Sequence, residues 1–410
     1  MPADTTLSAD QRFPGLSALA SRLLFFSLLT NGMGQSFLFA VWPPLGREIG
    51  FSDIQVGLVI TATGIVFMLG APVWGQISEV WGRRPSIVTG QIIFGLTTAL
   101  FAMVVSGRQE GMFAVGATFA MLVLLRAGFA AGASAIFPSV QAYIADVSPP
   151  ELRARNLSII GASFGLGMVA GPAAATALAE VSILAPFYGI AVVALVMAVL
   201  VRQFLPVPPR VDHRTASGGP PLSVPLLRLT PYFVMATLSM TSLALVQQVT
   251  GFRVQDLFGL SPQEAASQAG VALIVMAVAL IVVQIGIVRR FRGSPLILLR
   301  VGAPAMGLAF AGMALTESYA ALIACMGLFG AGIGLTIPGF VASASVDAGP
   351  AQQGRVAGLL GSFQALGFVI GPVSGASLYQ ALPVAPYLMG AAVAAIIALL
   401  GWTKRLERRL

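Results

Sequence analysis

The chain passes twelve times through a run of about twenty apolar residues, each closed by a short cluster of proline, glycine or charge. The runs start near residues 22, 53, 86, 115, 155, 182, 230, 263, 296, 318, 355 and 384. Twenty residues of helix span roughly 30 Å, the thickness of the hydrocarbon layer of a bilayer. In hydrocarbon every backbone N–H and C=O has to find its partner inside a helix or a closed barrel. A barrel alternates apolar and polar residues and these runs do not, so helices are expected. No soluble core absorbs this much apolar surface: 57% of the 410 residues are hydrophobic and 9% charged, with a mean hydropathy of +0.89. The expected fold class is an all-α membrane protein with twelve transmembrane helices.

Composition also narrows the chemistry. One cysteine, Cys325, and one histidine, His213, exclude a disulfide framework and leave almost no ligands for a metal site. HExxH and a cysteine–histidine pair are missing, so no catalytic residues are assigned and no enzyme is expected. The net charge of +8 sits in pairs and triplets between apolar runs, which points to membrane topology and away from nucleic acid. Placing both termini in the cytoplasm puts 19 of the 23 basic residues on or near the inside and leaves out Arg47, Arg108, Arg126 and Arg253. Met1 to Pro14 is polar, without the features of a signal peptide. The expected location is a bacterial cytoplasmic membrane.

The longest polar interruption, residues 205–228, is rich in Pro, Gly and Arg and divides the chain into six-span halves, 22–204 and 229–403, with tails at 1–21 and 404–410. The halves repeat. Gly161 to Pro172 aligns with Gly361 to Pro372 at an offset of 200, matching Gly161, Leu166, Gly167, Val169, Gly171 and Pro172 with their counterparts; Arg155 pairs with Arg355 and Pro138 with Pro338. Duplication predicts two pseudo-symmetric bundles.

Between the second and third runs lies GQISEVWGRRPS, Gly75 to Ser86. Its Gly75, Glu79, Gly82, Arg83 and Arg84 resemble the signature of the major facilitator superfamily, with Val80 where an arginine is usual. Span four carries Arg126 with Gly128 and Gly132, similar to a second motif. Ala142 to Asn156, AYIADVSPPELRARN, looks like the loop after span four of tetracycline-type exporters. Gly167, Gly171 and Pro172 match the span-five exporter motif, although Ala174 and Ala175 replace its trailing glycines. The resemblance is to the twelve-span drug and proton antiporter group, and it implies alternating-access efflux driven by a proton gradient, with no other cofactor and with spans one, four, seven and ten lining the cargo cavity.

Each motif also has a physical reading. Glu79 at the cytoplasmic mouth, oriented by Arg83, reads as an inner latch facing a helix N-terminus of the other half. Gly161, Gly165, Gly167 and Gly171, repeated as Gly367 and Gly371 before Pro372, let backbones approach closely in lipid, and Pro172 interrupts its helix. Arg126 is the one charge that reads as mid-membrane, where a functional role is the default. Phe129 and Phe137 share its face, and Asn31, Gln35 and Phe39 form a stripe on span one, while span seven offers Ser242, Gln247 and Gln248. No acid lies mid-span. Asp146 and Asp256 are the nearest proton-site candidates, more simply read as partners of Arg153 or Arg155 and of Arg253. A cavity holding Arg126 and no carboxylate favours neutral or anionic amphipathic cargo such as drugs, siderophores or metabolites. An importer of a small organic anion and a non-transporting sensor on the same scaffold are the alternatives. The expected partners are a small molecule and the bilayer, with the chain a monomer.

Overall fold

The computed structural model describes residues 16–208, 226–349 and 352–403. Within them the chain forms twelve α-helices: α1 Ala18–Glu48, α2 Asp53–Trp81, α3 Arg83–Gln109, α4 Val115–Val147, α5 Pro150–Ala179 and α6 Ala185–Phe204, then α7 Leu226–Phe258, α8 Pro262–Gly286, α9 Pro295–Leu315, α10 Tyr319–Ala348, α11 Gln353–Ala381 and α12 Ala385–Gly401. Eleven are long and apolar enough to cross a membrane, and α12 is a shorter apolar helix. Local chemistry sets the starts. Ser52 and Ser261 close capping boxes with Gln55 and Glu264, and prolines, whose missing N–H costs nothing in a first turn, open α5, α6, α8, α9 and α12.

One boundary differs from the sequence reading, the end of the polar interruption. The first span ends within AVWPPLGREIG as expected, with α1 running through Pro43 and Pro44 to Glu48. Buried neighbours hold it: Trp42 Nε1 donates to the Val56 carbonyl at 3.0 Å, and Gly251 of α7 lies against both prolines. The polar interruption ends three residues early, because Leu226 to Arg228 already belong to α7; residues 209–225 lie outside the described segments. The seventh span, the least regular in sequence, is one continuous helix despite Gln247 and Gln248.

The helices pack as two related lobes. In the first, α1 packs on α5 and α6, α2 on α4, and α3 on α4 and α6; in the second, α7 packs on α11 and α12, α8 on α10, and α9 on α10 and α12. Each contact recurs six helices later, as duplication predicts. Trp42, Phe101, Phe187 and Phe37 form a chain of ring contacts in the core of the first lobe. The outside is apolar too: Leu69, Val192, Val282, Leu308 and Leu399 are all more than half exposed, which suits contact with lipid tails and not with water.

The lobes meet where α2 packs on α11 and α5 on α8, with α1 against α7 and α8. At the end carrying the α1–α2 turn, the first-loop end, the seam is tight. Gly57 abuts Pro372, Val373 and Ala376, Gly64 abuts Phe368 and Val369, and Gly270 abuts Pro172 and Thr176. Thr61 Oγ1 donates to the Val369 carbonyl at 3.2 Å, and Gln263 Nε2 to the Ala179 carbonyl at 2.7 Å. At the opposite end, the linker end, the seam is parted. Gly75 on α2, Gly161 and Gly165 on α5, and Gly358 and Gly361 on α11 have no atom within 4 Å of where a β-carbon would stand.

Candidate functional site

Arg126 lies on α4, eleven residues after Val115, and Thr63 lies on α2, ten residues after Asp53; both helices start at the first-loop end and run parallel, which brings the two residues to one depth. Arg126 is 3% exposed. Its Nε donates to Thr63 Oγ1 at 3.2 Å, and its guanidinium carbon stands 4.0 Å from the centroid of the Phe129 ring. Thr61 and Gly64 touch α11, whereas Thr63 turns to α4, so the buried cation is held inside the first lobe. Every carboxylate among the described residues lies within three residues of a helix end or in a turn, and none pairs with Arg126. A guanidinium is a cation throughout the accessible pH range, so mid-membrane charge here is positive and unbalanced.

Buried polar atoms without partners lie on α1 and α7. Asn31 Nδ2 donates to the Ala133 carbonyl at 3.3 Å, but its Oδ1 has no protein partner, nor do Gln247 Oε1, Ser242 Oγ and both amide atoms of Gln248. These side chains are nearly fully buried. Buried polar atoms are rarely left unpaired, so each has capacity for a further hydrogen-bond partner. Gln35 is half-buried, Phe39 buried, and Phe137 stands edge-on to Phe164 of α5 at 5.4 Å between centroids.

The GQISEVWGRRPS stretch is arranged differently from the reading above. Gly75 to Trp81 are the last turns of α2, and Gly82, at φ 106°, is the whole connection to α3; that backbone angle favours glycine. Arg83 does not pair with Glu79. Its Nε donates to Asp146 Oδ2 at 3.0 Å and its Nη1 to Ser78 Oγ at 2.6 Å, while Glu79 is exposed and Gly75 faces open space. The expected latch is therefore not engaged in this conformation. Asp146 likewise takes Arg83 in place of Arg153 or Arg155, because the α3–α4 hairpin brings residues 63 apart in sequence together. Arg84 Nη1 donates to the Leu205 carbonyl at 3.0 Å and anchors α6.

The span-five glycines divide by depth. Gly167 and Gly171 pack on α1 at Leu29, Met33 and Ser36, and Gly367 and Gly371 repeat this on α7 at Thr237, Thr241 and Ala244. Gly161 and Gly165 lie in the parted half and touch nothing there. A methyl group at Gly171 would overlap the Met33 carbonyl and Ser36. Gly171→Ala is expected to destabilise the protein by about 1–3 kcal/mol, read as a lower melting temperature in detergent, while Gly161→Ala leaves it unchanged.

The sequence reading missed the ionic cluster that joins the two lobes. Arg47 donates from Nε and Nη2 to Asp53 at 2.6 and 2.9 Å, and from Nη1 and Nη2 to Asp256 at 2.6 and 3.2 Å. Tyr379 Oη donates to Asp256 at 3.0 Å, and the Phe252 ring lies 4.5 Å below the guanidinium. Asp256 thus binds Arg47 across the seam, not Arg253 on its own helix; Arg253 reaches the Thr316 carbonyl instead. The signal was available: Arg47 and Asp256 both sit at helix ends on the same side of the predicted topology.

With this geometry in view, known proteins are informative. The profile of the Major Facilitator Superfamily matches residues 24–372. Multidrug resistance protein 1 of Bacillus subtilis (strain 168) is 26% identical over 361 residues, 87% of this chain and 89% of that one. Quinolone resistance protein NorA of Staphylococcus aureus (strain MRSA252) is 28% identical over 233 residues, 56% of this chain and about half, 55%, of the relative's length. Among solved structures, a bacterial homologue of the human lysosomal transporter Spinster in an inward-facing, occupied state superposes with a TM-score of 0.68 at 18% identity, covering 95% of this chain and 92% of that one, a likeness of fold alone. A profile match across most of the chain, on a two-lobed twelve-helix bundle, makes this a multi-pass membrane transporter and no enzyme: the chain belongs to the Major Facilitator Superfamily.

Proposed function

We propose that this transporter exports a small amphipathic molecule, neutral or anionic, by alternating access across a bacterial cytoplasmic membrane. The single observation that carries the cargo class is Arg126, a buried cation with a hydroxyl and a ring for neighbours and no carboxylate. An anionic group on the cargo relieves that unbalanced charge, the amides of Asn31, Gln247 and Gln248 take up its polar atoms, and Phe39 and Phe129 meet its apolar body. The relatives named for multidrug and quinolone resistance support the outward direction.

Alternating access draws support from the seam. The distribution of basic residues places the linker end in the cytoplasm, so the described conformation is open inward. The uncovered glycines Gly75, Gly161, Gly165, Gly358 and Gly361 then form the faces that meet when the cytoplasmic side closes, mirroring Gly57, Gly64 and Gly270 on the closed side. Gly75 and Glu79 retain the latch role for that outward-open state. Gly75→Trp fills space that is empty here and is expected to leave the melting temperature unchanged while stopping transport, because cytoplasmic closure is blocked.

The test of function is flux in sealed inside-out vesicles. Radiolabelled 2-naphthalenesulfonate, an amphipathic anion ionised at every working pH, is expected to accumulate, and the lipophilic cation ethidium is not. Ethidium transport that survives Arg126→Ala would sink the cargo assignment. Proton antiport, implied by family resemblance, has only Asp146 and Asp256 as candidate carriers, and both are committed to arginines near helix ends.

A further inference from the structure

We infer that the turn between α8 and α9 is a binding site for the headgroup of an anionic phospholipid. Arg289, Arg290 and Arg292 fall within four consecutive residues of this turn, and all three are exposed. Between Glu264 and Glu317 the sequence holds no acid. Among the described residues none of the three forms an ion pair, and only Arg290 uses its guanidinium, donating from Nη1 to the Gly286 carbonyl at 3.0 Å. The helix that follows starts without a side-chain cap. Ser294 does not bond to the first turn of α9, unlike Ser52 and Ser261 in their helices, and that turn carries no acid. Its open N–H groups add an anion-attracting terminus two residues beyond Arg292.

Depth and surroundings give the class of ligand. α8 has 25 residues, a length that exceeds the roughly 30 Å of hydrocarbon and sets the turn at the level of the lipid phosphates. The approach to it is apolar: Val282, Ile285 and Ile287 are 61, 57 and 51% exposed. A ligand there meets fixed positive charge at one end and an apolar surface along the rest, which suits a phospholipid with a net negative headgroup. The other lobe does not neutralise the turn. α5, on which α8 packs, starts at the same end with one acid, Glu151, and two arginines, Arg153 and Arg155. The counterpart turn in the first lobe is already satisfied: Arg83 is held by Asp146 and Ser78, Arg84 by the Leu205 carbonyl, and Glu79 stands exposed beside them. Guanidinium groups without carboxylates, each able to donate a forked pair to a phosphate, set the second lobe apart.

The experiment uses the full chain in phosphatidylcholine liposomes, on a Cys325→Ser background, with a bimane dye on the cysteine of Ile287→Cys. Val80→Cys, at a residue 84% exposed on the last turn of α2, is the reference at the same end of the first lobe. Phosphatidylglycerol and phosphatidylcholine, each spin-labelled close to the glycerol, are added in turn as quenchers. At position 287 phosphatidylglycerol is expected to quench more strongly, its relative affinity rising about 5-fold for each arginine engaged. That preference is expected to fade in about 1 M salt, where the Debye length is about 3 Å. It is expected to vanish in the triple variant Arg289→Gln, Arg290→Gln, Arg292→Gln and to persist in the matching lysine variant, while at position 80 the two lipids quench alike. Equal quenching at position 287, a preference of the same size at position 80, or one that survives the glutamine changes overturns the inference. So does a preference abolished by inorganic phosphate at constant ionic strength, which would assign the turn to a soluble anion. Should the glutamine variant not fold, the comparison of positions 287 and 80 in the unaltered turn still decides.

Discussion

Arg126→Ala should sharply reduce transport of an amphipathic anion while leaving the fold at least as stable as before. Charge-assisted contacts to a bound anion are worth about 1.5–3 kcal/mol, so uptake at subsaturating cargo should fall by about 10- to 150-fold. Stability should move the other way. The guanidinium is removed from water in exchange for one hydroxyl and one ring face, and deleting an uncompensated buried cation relieves a desolvation penalty. The melting temperature in detergent is therefore expected to hold or rise. A structural arginine, one present to knit α4 to α2, would give the reverse pattern: a lower melting temperature and transport reduced only in proportion to folded protein. Measuring both quantities on one preparation decides between them.

Asp256→Asn should open the first-loop end. Arg47 holds Asp53 within its own lobe and Asp256 across the seam, so removing the Asp256 charge breaks the cross-lobe pair and spares the local one. The Asp256 side chain is 46% exposed and Arg47 21%, so solvent screens the pair. The forked geometry and the Tyr379 hydrogen bond raise it above an ordinary surface bridge. About 1–2 kcal/mol is a reasonable share, which shifts the two-state population by about 5- to 30-fold toward outward opening. Spin labels on Glu110 and Glu317, exposed in the turns before α4 and α10 of the two lobes, report this as growth of a longer distance in pulsed EPR. Arg47→Gln should act alike. Distance distributions identical to wild type would show that the glycine contacts alone hold the end shut.

The helices were legible because hydrocarbon leaves the backbone so little choice. Run length fixed the spans, serines and prolines marked several of their starts, and the repeat at an offset of 200 anticipated contacts that recur six helices later. Arg126 was legible for a related reason, since a mid-span charge is costly wherever the helix packs. Pairings were not. Glu79 lies four residues before Arg83 and Arg253 three before Asp256, yet Arg83 found Asp146 and Asp256 found Arg47, because packing between helices distant in sequence brings their ends together more closely than the chain's own turns do. Depth counting from a common end would have placed Thr63 beside Arg126. Nothing in the residues told which face of the seam would be closed, since both ends carry glycines suited to contact.

The closed seam sets glycines against short side chains and main chain: Gly57 on Ala376 and Pro372, Gly64 on Val369 and Phe368, Gly270 on Thr176 and Pro172. Surfaces of that kind slide apart without interlocked side chains having to unthread. Friction during rocking is then small, and the pace of the cycle passes to the few polar clasps and to the wetting of the cleft.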